Sequence, residues 1–122
     1  MKPGVFLLAA ALSVLPIAAY AHATKGVHGG AVADAGSLHV EVVSEGMVLQ
    51  VYLRDHSEKA IDSRGYKGTA IFVINGKAER ITLAPSGENT LKGSASVNIP
   101  KEPKGAVQIT TPTGSTLQAK FN

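Results

Sequence analysis

From residue 38 onward the chain is built of short apolar runs, each closed by a turn signal, and this restricts the fold more than any other feature. "GTAIFVI" and "AERITLA" flank Asn75-Gly76-Lys77. Asn-Gly between such runs is the strongest short signal for a β-hairpin, because both residues tolerate positive φ. "LHVEVVS" and "MVLQVYLR" flank Glu45-Gly46 in the same way. "NTLKGSASVNI" follows the turn Pro85-Ser86-Gly87, and "AVQITTP" and "STLQAKF" flank Thr113-Gly114. The pattern predicts about seven antiparallel strands and no helix, packed as a sandwich or barrel.

The first hairpin can be read residue by residue. With Glu45-Gly46 as a two-residue turn, Leu38, Val40 and Val42 oppose Leu53, Val51 and Leu49 on a wholly aliphatic face, which is the core side. His39, Glu41 and Val43 then point outward, opposite Tyr52, Gln50 and Val48. Met47 has core parity beside the turn, so packing is its expected role.

Residues 1–37 read differently. Lys2 followed by "VFLLAAALSVLPIAA" and small residues has the layout of a cleaved secretory signal peptide. Cleavage after Ala21 or after Ala23 both satisfy the small-x-small rule, giving a signal of 1–21 or 1–23. A glycine-rich leader over 24–37 and a β domain over 38–122 follow. Downstream of the signal no apolar run is long enough to cross a bilayer, so the expected product is exported to the periplasm and soluble. The sequence has no cysteine, which removes disulfides, thiolate metal ligands and a lipid-modified cysteine. Lys and Arg number 12 against 9 Asp and Glu; loss of Lys2 with the signal takes the net charge from +3 to +2. These basic residues form no stripe, which argues against a nucleic-acid partner.

Three of the four histidines fall between positions 28 and 56, two of them beside a carboxylate. Imidazole and carboxylate are ligands for divalent transition ions, so His28, His39, Glu41, Asp55 and His56 are the candidate metal residues, with Asp34 a further carboxylate in the leader. Glu41 is either a ligand or the group that orients His39. In an extended strand His56 lies about 13 Å from the position opposite His39, at ~3.3 Å per residue. Sharing an ion therefore requires the chain to bend after Arg54, or the leader to bring His28 to one of the others. His28 and His39 are the first-choice ligands, with Asp55 and His56 supplying the rest if the loop folds back. His22 belongs to the mature chain only if cleavage precedes it. With Met47 the only methionine downstream of the signal, a divalent ion (Cu(II), Zn(II) or Ni(II)) fits the ligands better than Cu(I), copper or zinc foremost. Binding requires neutral imidazoles, so affinity should fall as pH drops through ~6.5.

"HGGAVADAGSLHVEVV…VLQVYLRDHSEKAIDSRGYKGTA" resembles a group of small exported bacterial proteins with His-Gly-Gly, Gly-x-x-His-x-Glu, a hydrophobic strand, Asp-His and a downstream Gly-x-x-Gly. Related segments occur in periplasmic adaptor proteins of heavy-metal efflux systems, and the downstream part resembles the Ig-like YtkA type of domain. The likeness covers about residues 28–93. It implies an Ig-like β-sandwich, a role in metal handling, and site residues at His28, His39, Glu41, Asp55 and His56. Where the group carries "GKPV" after Asp-His, this chain has Lys59-Ala60-Ile61, which implies a less rigid loop.

Asp55, His56 and Ser57 are chain neighbours whose side chains alternate in direction, so they form no catalytic relay. No strand-to-helix phosphate loop is present in the pattern. The expectation is a non-enzymatic periplasmic protein that binds copper or zinc for buffering, resistance or delivery to an efflux adaptor. The alternative is a β-sandwich interaction module that docks on an envelope complex without metal, using the outward Val43, Val48 and Tyr52.

Overall fold

The computed structural model describes residues 25–122. The signal peptide, its cleavage sites and His22 lie outside them. Eight strands form, all paired antiparallel: β1 (Ala31–Ala35), β2 (Leu38–Glu45), β3 (Val48–Asp55), β4 (Lys67–Ile74), β5 (Lys77–Pro85), β6 (Thr90–Ser94), β7 (Gly105–Thr110) and β8 (Thr116–Phe121). No helix occurs among the described residues, and none there could cross a membrane.

All the strands belong to one sheet in the order β1-β2-β3-β6-β5-β4-β7-β8. The nine-residue β5 keeps it continuous: Lys77 to Leu83 pair with β4, and Ala84 and Pro85 pair with β6. The sheet curls until its two end strands, β1 and β8, touch. The expected all-β, antiparallel class is present, but its seven-strand sandwich becomes an eight-stranded, nearly closed sheet. The difference arises in the leader. "AVADA" (31–35), which shows no apolar alternation, forms β1 by pairing with β2 in the register Ala31↔Val42 through Ala35↔Leu38. Its small side chains fit beside the closing edge, where Gly36 faces Leu117.

Turn chemistry sets the local registers. Asn75 and Gly76 adopt φ of 55° and 79°, the two positive values a type I′ hairpin needs, and Ile74 pairs with Lys77. In the first hairpin the turn residues are Gly46-Met47, since Glu45 pairs with Val48. The expected Glu45-Gly46 turn is therefore displaced by one residue, because Gly46, at φ 62°, takes the first central position. Partners shift by two, so every side chain keeps its face. Val40 opposes Leu53, Val42 opposes Val51, and all four are buried. Met47 is carried into the turn and exposed, so its expected packing role is not filled.

The core lies inside the curl. Leu49, Leu53, Phe72, Ile81, Leu83, Leu91 and Ile109 are fully buried there, with Phe72 edge-on to Phe121 at 6.3 Å. The outer face of β1, β2 and β3 carries the polar residues of interest.

Candidate metal centre

Two tight connections build the site. Gly36, at φ 57°, begins the turn between β1 and β2 and sets Asp34 directly opposite His39. His39 in turn opposes Arg54 on β3. Asp34, His39 and Arg54 thus form one cross-strand row on the outer face, at the spacing where directly opposed side chains interact. The second connection is the bend after β3. One oxygen of Asp55 accepts hydrogen bonds from the amides of Ser57 (2.8 Å) and Lys59 (3.0 Å). The amides of Glu58 and Asp55 close the loop onto the Asp55 and Lys59 carbonyls, both at 2.9 Å. The Lys59 amide foremost, and then that of Ser57, hold the Asp55 carboxyl below its usual range. The loop folds His56 back over β2, and the separation expected for an extended strand disappears.

The result is a convergence of three side chains. His39 Nε2 lies 2.7 Å from His56 Nδ1 and 3.7 Å from Asp34 Oδ1. One ligand atom from each residue falls within 4.8 Å of the others. The remaining ring nitrogens also have partners. His56 Nε2 is 3.2 Å from the Gly36 carbonyl oxygen, to which it can only donate, and His39 Nδ1 is 3.5 Å from a carboxylate oxygen of Glu58. With protons on those outer nitrogens, the lone pairs of His39 Nε2 and His56 Nδ1 would face one another and Asp34. Two facing lone pairs at 2.7 Å repel unless a proton or a metal ion stands between them. With metal–nitrogen bonds of about 2.05 Å at a tetrahedral angle the two nitrogens would stand about 3.3 Å apart, so the rings need to open by about 0.6 Å. Two imidazoles and one carboxylate make a three-ligand set with coordination positions left over.

Glu58 reaches this position from a backbone φ of 68°, a left-handed conformation that costs a residue with a Cβ about 1–2 kcal/mol. Its carboxylate lies between the His39 ring, at 3.5 Å, and the Arg54 guanidinium, at 3.9 Å.

His28 and Glu41 form a separate assembly. Glu41 is 4 % exposed despite its outward parity. The leader covers it: Glu41 Oε2 accepts from the amides of His28 (2.9 Å) and Gly30 (2.8 Å), and Glu41 Oε1 lies 3.1 Å from His28 Nδ1. The His28 ring stacks on Tyr52 at a centroid distance of 3.6 Å. The glycines of this segment are there for close approach. A Cβ at Gly26 would come within 2.2 Å of the Glu41 carboxyl carbon, and one at Gly30 within 2.1 Å of the Val42 carbonyl oxygen.

Of the five candidates from sequence, then, His39 and His56 converge, and the first-choice pairing of His28 with His39 does not form, because the His28 ring is held on Glu41 and Tyr52. His28 and Glu41 bind each other, and Asp55 shapes the loop with backbone contacts. Glu41 keeps the outward parity read from the sequence, but the leader covers it and leaves it buried. Asp34 was only a further carboxylate in the sequence reading, and Glu58 was missed. Gly36-Ser37 was a legible two-residue hairpin signal, and applying it would have paired Asp34 with His39. Glu58 left no such signal, since its placement depends on the loop closure.

Comparison with known proteins returned no matching family model, no matching curated protein and no matching solved structure.

Proposed function

We propose that this is an exported, non-enzymatic metal-binding protein that holds a divalent ion, copper or zinc, between Asp34, His39 and His56. It would buffer that ion in the periplasm or pass it to an efflux adaptor. The observation that carries the ion is the inward convergence of two imidazole nitrogens 2.7 Å apart while their outer nitrogens face Glu58 and the Gly36 carbonyl. Export rests on the signal-like N-terminus, and the efflux connection rests on the sequence resemblance. The Ig-like relationship suggested by that resemblance belongs with these proposals.

The ligand chemistry favours Cu(II) or Zn(II), which accept imidazole and carboxylate together. The site is open: the Asp34 side chain is 66 % exposed. An open, three-ligand site suits an ion that must leave again better than one held for structure.

Isothermal titration of the chain lacking residues 1–23 with Cu(II) and Zn(II) tests this. Micromolar or tighter binding at one equivalent, abolished in His39→Ala/His56→Ala, is the expected result. Absence of heat with either ion would leave the metal-free docking module as the better reading. That alternative has lost part of its surface, since Tyr52 is stacked under His28, and Val43 and Val48 are half-buried.

A further inference from the structure

Asp34 and His39 are also part of a second feature, a cleft of about 490 Å³ whose wall includes Lys25, Glu41, Arg54 and Glu58. An ion on the three-ligand site therefore stands at the edge of this cleft.

Arg54 is the unusual member. It is only 9 % exposed. Its Nη2 lies 3.8 Å from Glu41 Oε1 and its Nε lies 3.9 Å from Glu58 Oε1. These are ion-pair separations, too long for hydrogen bonds. Among the described residues its guanidinium donates no hydrogen bond, although it carries five N–H groups in a planar fork. Buried donors are costly when unused, and an oxygen-bearing ligand in the cleft would satisfy them.

Charge selects the ligand and the condition for binding it. Lys25 and Arg54 face Asp34, Glu41 and Glu58 across the cleft, a net of one negative charge with His39 neutral. By itself that wall does not attract anions. A divalent ion reverses the sign to one net positive charge and brings vacant coordination positions. An anion with two oxygens is then matched twice, by the ion and by a guanidinium fork whose geometry suits a carboxylate.

We propose that the metal-loaded protein takes a small carboxylate anion into this cleft, the anion completing the ion's coordination while Arg54 donates to it. This rests on the Asp34–His39–His56 site and deepens it: the species carried is an ion–carboxylate pair, and anion and metal bind cooperatively.

Acetate is the probe. Cu(II) is titrated into the protein alone, then acetate into the loaded protein at constant ionic strength while the visible copper absorption is followed. A saturable spectral shift is expected, with no acetate binding to the metal-free protein. By reciprocity of coupled equilibria, saturating acetate should tighten Cu(II) binding about tenfold. In Arg54→Lys, which keeps the charge and loses the fork, that tightening should drop below about threefold, whatever the variant's affinity for Cu(II) alone. Far-UV circular dichroism establishes that the variant is folded; if it is not, the wild-type linkage decides. Failure of Cu(II) to bind overturns the ion site and this proposal with it. Cu(II) binding that acetate leaves unchanged, or tightens equally in Arg54→Lys, overturns the anion proposal alone.

Discussion

Replacing Glu41 separates the leader's anchor from the proposed ion site. Its carboxylate holds two backbone amides, those of His28 at 2.9 Å and Gly30 at 2.8 Å, in a setting that is 4 % exposed. Hydrogen bonds to a charged group contribute about 1.5–3 kcal/mol each. Glu41→Gln can keep both with its single carbonyl oxygen, as neutral bonds of roughly half that strength. It should therefore cost about 2 kcal/mol. Glu41→Ala keeps neither and leaves Arg54 with Glu58 as its one carboxylate partner. The cost has a ceiling, because residues 25–30 can lift away and hydrate their amides once the anchor is gone, and about 3–4 kcal/mol is expected. Urea unfolding at constant m-value measures both figures. Hydrogen exchange adds a local readout: the His28 and Gly30 amides should lose protection in Glu41→Ala while Val42 and Val51 retain theirs. If the two variants are equally stable, or if either lies within ~0.5 kcal/mol of wild type, the anchoring role is refuted.

Other consequences are as specific. His28→Ala removes a ring that stacks on Tyr52 outside the three-ligand group, so Cu(II) affinity measured by titration should stay within about threefold, whereas losing a direct ligand should cost far more. Glu58→Gln removes the charged partner of His39 Nδ1 and should weaken Cu(II) or Zn(II) about tenfold in the same assay. Gly29 and Gly30 should differ sharply. At Gly29 nothing lies within 4 Å of an added Cβ and only its φ of 81° opposes alanine, a cost of about 1–2 kcal/mol; Gly30→Ala should detach the leader and expose Glu41 to exchange. Asp55 has a carboxyl lowered by the Lys59 and Ser57 amides, so the stability it contributes is present above the unfolded value and is lost as pH falls through the lower folded one. The wild-type advantage over Asp55→Ala in thermal unfolding should thus be full at pH 7 and vanish in strong acid, and the variant should bind Cu(II) more weakly because the loop carrying His56 is loosened.

Much of the fold was legible in the chain itself. Alternation and turn dipeptides are local quantities, and they located β2 to β8 and, for β2 and β3, the face presented to the core. Even the misplaced turn at residue 46 did no harm to the faces, since a shift of two partners preserves side-chain parity. The leader was not legible for the converse reason. Ala31 to Ala35 carry too little apolar contrast to mark a strand, and they become one only because β2 offers an unpaired edge.

The site divides along the same line. Sequence alone determined which chemistry was on hand, namely imidazoles and carboxylates without thiolates, concentrated between residues 28 and 56. Which of them meet was decided by tertiary structure. A turn at Gly36 and a five-residue loop held by Asp55 bring Asp34, His39 and His56 together, while Glu41 is buried beneath His28. The physical reason is one of range. Ligand type is a property of single residues, but a metal site requires atoms a few ångströms apart, and those distances are set by strand register and loop closure between segments remote along the chain.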